Sequence, residues 1–308
     1  MNITFSVITL SNNELGAFKI CAQRPAKKFQ IAESMGISQT GASNIVNRLV
    51  EKGLCRRGDD GVITSGMEHA VALNSAIQDR TIPEWALVGG NLPILLSLLN
   101  QAKPMDRIAQ EAKLALPTVK IYEWRMRKQA LTIFNRNLEL APKNSALRGF
   151  LERYAHGCAL HLAAASDSSS RVSWNDGLQF ILRSEKDISF DDLRITGLSY
   201  LTNLGLQIGG WYRTYHHSFW NQEIGVEKAC IDAHLNEPDS STTISYCILT
   251  LMNTPFNRTT LLEEARYVGV DRLMNKVVKA AEGKSVDDPL IIPRSELEEM
   301  AHTFERRP

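Results

Sequence analysis

Six polar side chains recur at the spacing of one helix face between Ser38 and Lys52: Gln39, Thr40, Ser43, Asn44, Asn47 and Arg48. Their carboxamides, hydroxyls and guanidinium are groups that donate to phosphate oxygens and read base edges in a DNA groove. On the other side of the same stretch Ala42, Ile45, Val46 and Leu49 follow one another at helical steps and make a single apolar stripe. Ser38 supplies a hydroxyl that can accept from the free N–H groups of a first turn. Gly53 stands where a left-handed residue ends a helix. The stretch therefore predicts a recognition helix over 38–52.

Such a helix needs elements that hold its polar face outward. Phe29 to Met35 reads as a short helix, Gly36 as a tight turn and Ile37 as an apolar plug, which together make a helix-turn-helix. Ser11 or Asn12 caps a preceding helix whose apolar face is Leu15, Phe18 and Cys21, and Arg24-Pro25 ends it. Leu54-Cys55-Arg56-Arg57 alternates like a strand, Gly58-Asp59-Asp60-Gly61 is a turn, and Val62-Ile63-Thr64 returns. This hairpin would present Arg56 and Arg57 as phosphate contacts. Thr64 to Met67 opens a further helix, and Met1 to Leu10 has strand-like content. An amphipathic helix in an unrelated bundle is the plain alternative, but it explains neither the turn glycine nor the basic hairpin.

Residues 80–92, with Pro83, Gly89 and Gly90, read as a linker that still carries apolar side chains to pack. Residues 93–141 then repeat the first plan: an apolar helix at Ile94 to Leu99, a second at Met105 to Ala112, and a turn over Leu114 to Val119. A third helix runs from Thr118 to Gln129, with Pro117 at its start. A hairpin follows around Asn135-Arg136-Asn137. Thr118, Lys120, Arg125 and Lys128 are its DNA-contact candidates. Val119, Met126 and either Tyr122 or Ile121 face inward. Ala130 stands where the first copy has Gly53, so the second copy could have kept the fold and lost the DNA contact.

The chain has 308 residues, 44% hydrophobic and 7% aromatic, which suits two or three globular domains. No apolar run is long enough for a membrane span and no basic-then-apolar leader opens the chain, so no membrane partner is expected and the expected location is the cytoplasm. Five cysteines without a CxxC pair imply free thiols in a reducing compartment. No metal site is expected and no cofactor. Phosphate-cradling, nucleophile-elbow and zinc-protease motifs are missing, which argues against an enzyme. The net charge of +1 hides a split. Residues 1–153 carry 20 Lys/Arg against 13 Asp/Glu, a net of +7, and residues 154–308 carry 15 against 21, a net of −6. A basic first half suits a polyanion and an acidic second half suits something else. On that split, residues 1–150 would carry DNA binding alone.

The second half carries fewer signals. Asn144 or Ser145 starts a helix that reaches a Ser-rich break at 166–170. Val172 to Trp174 reads as strand, Gly177 to Leu182 as helix or strand, Gly197 to Leu206 as helix, and Tyr212 to Trp220 as sheet. Helices follow at Thr260 to Tyr267 and Asp271 to Ala281, and a capping box at Ser295 with Glu298. His216-His217 reads as a packed or surface pair rather than a ligand pair. Asp187, Asp191 and Asp192 form an acidic cluster without a nucleotide-transfer motif. Trp211, Tyr212, Tyr215, Phe219 and Trp220 could line a pocket or a core.

Residues 11–75 resemble the winged-helix domain of MarR-like regulators, in the IAESMGIS turn, the LVEKGL helix end, the Arg-rich strand and the following helix start. The tandem plan resembles archaeal-type winged-helix transcriptional regulators, and the second half has a fainter likeness to the C-terminal region of AbiE-type antitoxins. Family members often carry a basic residue where Asn44 stands, which shifts phosphate contact toward Arg48, Arg56 and Arg57. The resemblance implies a mainly α protein with α+β parts. Two winged helix-turn-helix domains, at 1–80 and 81–143, would precede a mixed α/β sensor or assembly domain at 144–308. It implies double-stranded DNA as partner, with a homodimer or protein partner through the C-terminal domain. An antitoxin-like autorepressor and a plasmid-type replication initiator are the competing functions.

Overall fold

The computed structural model describes residues 8–80, 82–208 and 212–301. The chain is mainly helical with small antiparallel sheets, and it divides into two compact units. Unit 1 is residues 1–162 with 175–178; unit 2 is residues 163–174 with 179–308.

Unit 1 opens with α1 (Asn12–Gln23), α2 (Lys28–Met35) and α3 (Gln39–Glu51), then a hairpin of β1 (Cys55–Gly58) and β2 (Gly61–Thr64), then α4 (Glu68–Asp79). Ser11 and Glu14 close a reciprocal capping box on α1. The three helices converge on Leu15, Phe18, Ile31, Ala42, Ile45, Val46 and Leu49, all buried. The residues from 82 to 90 are packed rather than loose. A 3-10 turn at Glu84–Leu87 buries Ala86 and Leu87, and the Asn91 amide donates to the Trp85 and Val88 carbonyls. Of the strand expected at Met1 to Leu10, Met1 to Val7 lie outside the described residues. Ile8 to Leu10 form no strand, and the Leu10 carbonyl instead accepts from Gly89.

The same plan returns in α5 (Asn91–Ser97), α6 (Met105–Glu111), α7 (Leu116–Lys128), β3 (Thr132–Asn135) and β4 (Asn137–Leu140). The repetition holds hydrogen bond by hydrogen bond at a separation of 77 residues through the first hairpin strand and of 76 in the second, where Leu138 answers Val62. Ala26 and Val62 exchange backbone bonds, as do Lys103 and Leu138; Ile37 donates to Ala32 as Leu114 does to Ala109; Leu54 donates to Leu49 as Leu131 does to Met126. Left-handed Gly36 (φ 63°) and Gly53 (φ 68°) are matched by Lys113 (φ 54°) and Ala130 (φ 51°). The turn of the second copy is thus at Lys113, earlier than expected, because non-glycine residues adopt the left-handed conformation there and hide the signal. Helix α7 accordingly starts at Leu116, which puts Pro117 inside its first turn.

Helix α8 (Ser145–Ser166) follows. The expected third domain begins at 144, yet α8 through Leu162 belongs to unit 1. Its Leu147, Phe150, Leu151, Tyr154 and Cys158 are buried, Arg148 donates to the Leu99 carbonyl, and Tyr154 to that of Ile8.

Unit 2 holds a sheet with strand order β5-β6-β8-β7, formed by β5 (Arg171–Asp176), β6 (Gln179–Ser184), β7 (Leu193–Ile195) and β8 (Arg213–Ser218). Strand β8 runs antiparallel to both β6 and β7. Helix α9 (Gly197–Asn203) lies between β7 and β8 in sequence. Beyond the sheet come α10 (Val226–Asn236), α11 (Ser241–Asn253), α12 (Arg258–Tyr267), α13 (Asp271–Ala281) and α14 (Arg294–Met300), around a core that includes Ile231, Ile248, Leu261, Met274 and Val277. Helices α10 and α11 are not among the expected elements, although Gly225 precedes α10 and the Ser240 hydroxyl caps α11 by accepting from the Thr243 N–H at 3.1 Å. The capping box expected at Ser295 is not formed: α14 begins at Arg294, and Glu298 instead takes the Arg294 guanidinium at 2.9 Å.

Candidate nucleic-acid interface

The polar face of α3 is held from three sides. At its start the Ser38 hydroxyl accepts from the Gly41 N–H at 3.1 Å. Along its length Ala42, Ile45, Val46 and Leu49 are buried, which leaves Gln39, Thr40, Asn44, Asn47 and Arg48 exposed and Ser43 half-buried. At its end two histidines meet carbonyls that no helical turn can satisfy. His69 of α4 lies 2.8 Å from the Lys52 carbonyl, and His161 of α8 lies 2.8 Å from that of Glu51. Burial pushes His69 down to about 4, so it sits there as a neutral imidazole. Gly53 is required twice over: its φ is positive, and a Cβ would come within 2.7 Å of the Met67 sulfur and 2.9 Å of the His161 ring.

Beneath α3 lies a buried ion pair that the sequence did not reveal. Lys52 Nζ is 2.9 Å from Glu14 Oε1, with the two side chains 2% and 5% exposed. Burial alone would raise the Glu14 carboxyl. Hydrogen bonds from Lys52 and the Ser11 N–H outweigh it and hold the group below its ordinary value. Burial also lowers the Lys52 ammonium, against the pull of Glu14. Glu14 Oε1 lies 3.5 Å from Arg48 Nε as well, so the same carboxylate orients a guanidinium on the exposed face.

The hairpin adds Arg56 and Arg57, both exposed on β1. Neighbouring strand residues point to opposite faces. The Arg57 Nη2 donates to Asn47 Oδ1 at 2.8 Å, which places Arg57 on the α3 side and Arg56 on the other. Ser38, Gln39, Thr40, Ser43, Asn44, Asn47, Arg48 and Arg57 therefore border one surface. In the second copy Lys120, Arg125 and Lys128 are exposed on α7 and Thr118 is half-buried. Arg125 stacks on the Trp85 ring at 4.0 Å and Lys128 on that of Trp124 at 3.8 Å. Val119 and Met126 are buried as expected, Tyr122 is half-buried, and Ile121 faces outward. Glu123 is buried too, paired with Arg127 at 3.0 Å.

Unit 2 offers two further groupings. His216, Lys228 and Thr196 surround Asp232 at 2.9, 3.1 and 2.6 Å, all buried. Burial would raise Asp232, but Lys228, His216 and Thr196 hold it down to about 2. His217 stacks on Phe180 with ring centres 4.4 Å apart. The two histidines thus serve different partners inside the unit, and among the described residues no group of side chains could hold a metal ion. Asp187 pairs with the Arg213 guanidinium. Of the aromatic set, Trp211 lies outside the described residues, Tyr215 and Phe219 are buried, and Tyr212 borders a cavity of about 590 Å³ with Leu198, Ser199, Glu237 and Tyr246. All five cysteines are buried free thiols. Among the described residues no helix is long and apolar enough to cross a membrane.

No family model, curated protein or solved structure matches the chain.

Proposed function

We propose that the chain is a sequence-specific double-stranded DNA-binding transcriptional regulator of the cytoplasm. It reads DNA with α3 in the major groove and touches the backbone with the β1–β2 hairpin as a wing. The observation that carries this reading is the exposed α3 face of amides, hydroxyls and Arg48, joined to the hairpin by the Arg57–Asn47 bond. Rigidly held carboxamides suit base edges, and the arginines suit phosphates. The two copies are then tandem winged-helix domains, the plan of the archaeal-type regulators that the sequence resembles, and unit 2 is a sensor or assembly domain. Selecting duplexes from a randomised pool with the full chain tests this. One enriched motif whose identity changes in Asn44→Ala supports it, and an unenriched pool contradicts it. The 77-residue repeat also suits a plasmid-type replication initiator, which enrichment of directly repeated motifs would mark.

A further inference from the structure

The 77-residue correspondence assigns every polar position of the α3 surface a partner in the second copy. Gln39, Thr40, Asn44 and Asn47 become Leu116, Pro117, Ile121 and Trp124, and Arg56 and Arg57 become Ile133 and Phe134. Ser43 and Arg48 become Lys120 and Arg125. A surface of amides and arginines in one copy is an apolar surface in the other.

These apolar side chains are not covered. Ile121 is 67% exposed, Trp124 54%, Phe134 46% and Leu116 37%. By strand alternation Phe134 takes the helix side of its hairpin, as Arg57 does in the first copy. At these exposures the four present about 400 Å² of side chain, in the range where a patch on a monomer marks a binding site. The rim is cationic throughout: Lys120, Arg125, Lys128 and Arg136 are exposed, while the sole acid of α7, Glu123, is buried against Arg127.

We propose that this face docks an amphipathic segment of another protein, apolar on one side and edged with Asp and Glu. The inference rests on the repeat and its exposed side chains, and it stands whether or not α3 reads DNA. The charge decides the occupant. A second copy packed face to face would bring Lys120, Arg125 and Lys128 against their own kind, and like charges across an interface are unfavourable. Nucleic acid would satisfy the rim and stack on Trp124 or Phe134, but it would leave Leu116 and Ile121, which can neither hydrogen-bond base edges nor stack on them, without a partner. An acidic amphipathic segment satisfies both, and helix-in-groove docking uses this pattern of apolar anchors. Trp124 and Phe134 are residue types that carry binding energy at such centres.

The test pans a random-peptide display library against the full chain, with subtraction against the Ile121→Ser/Trp124→Ser variant, whose changes are at exposed positions and leave the core intact. The expected result is a set of peptides that pair apolar residues with Asp and Glu, that bind the wild type at least about tenfold more tightly than the variant, and that bind Arg57→Ala unchanged. Three results overturn the proposal: no peptides that depend on this face, enriched peptides that are basic, or competition for the face by single-stranded oligonucleotide. Concentration-dependent dimerisation of the full chain that Ile121→Ser abolishes also overturns it, in favour of a second copy as occupant.

Discussion

Replacing Glu14 by Gln tests how the α3 face is held. Gln keeps an oxygen for the Ser11 N–H but removes the charge facing Lys52, whose side chain is 2% exposed. Leaving one member of a buried pair without its counter-charge costs about 3–5 kcal/mol. Lys52 retains the Thr9 carbonyl at 2.5 Å, which puts the expected loss near the low end, about 3 kcal/mol. Lys52→Met removes the other charge. The double variant leaves neither ion unpaired, and should return to within about 1–2 kcal/mol of the wild type. Urea unfolding of the four proteins closes the cycle. The pH dependence gives a second reading. Glu14 in the folded protein titrates below its ordinary 4.5, so the stabilisation it contributes is complete above that pH and is lost as the pH falls through the lowered value. Glu14→Gln should therefore be less sensitive to that acid range than the wild type. Additive losses in the double variant would refute a coupled buried pair, and an unchanged acid response would refute the ionised Glu14.

His69 binds its proton only near 4 when folded and near 6.5 when unfolded, so stability should decline as the pH falls from 6.5 toward 4; unfolding of His69→Gln across that window should show a flatter profile. Ala130 is left-handed at φ 51°, so Ala130→Gly should stabilise by about 0.5–1 kcal/mol, the relief of strain exceeding the added chain entropy, whereas Gly53→Ala should destabilise by about 2 kcal/mol or more in the same urea assay. Asn44→Ala should relax base preference in a duplex-selection experiment. Arg56→Ala and Arg57→Ala should each weaken all duplexes alike, as changes to phosphate contacts do. Asp232→Asn should cost several kcal/mol in thermal or urea unfolding, because it strands the buried Lys228 ammonium.

What the sequence made legible was whatever obeys local rules. The α3 stripe, its Ser38 cap, the Gly36 turn and the Asn135-Arg136-Asn137 hairpin all lie within a few residues of the atoms they organise. Long-range partners escaped. Nothing near Glu14 announces that it meets Lys52 across 38 residues, and nothing near His161 announces that it closes the end of α3. The domain limit at 144 failed for the same reason. Helix α8 starts with a fresh cap but buries Tyr154 and Cys158 in unit 1, so a fragment cut at 150 would lose part of that core. The conversion of the second copy's polar face to an apolar one was visible residue by residue, but only the hydrogen-bond correspondence fixed which residues to compare. Lys113, left-handed where the first copy has Gly36, had blurred that alignment at the turn.

The most direct test of the central claim is the salt dependence of duplex DNA binding by the full chain, followed by fluorescence anisotropy. Arg48, Arg56 and Arg57 supply about three phosphate contacts per chain, a logarithmic slope near −2.7, so a fourfold rise in salt should weaken binding about fortyfold. In Arg56→Ala/Arg57→Ala the slope should become shallower by about two for each chain bound, and exchanging Lys120, Arg125 and Lys128 for Gln should leave it unchanged. A flat response to salt, or a slope indifferent to the two hairpin arginines, would contradict DNA recognition by α3 and its hairpin.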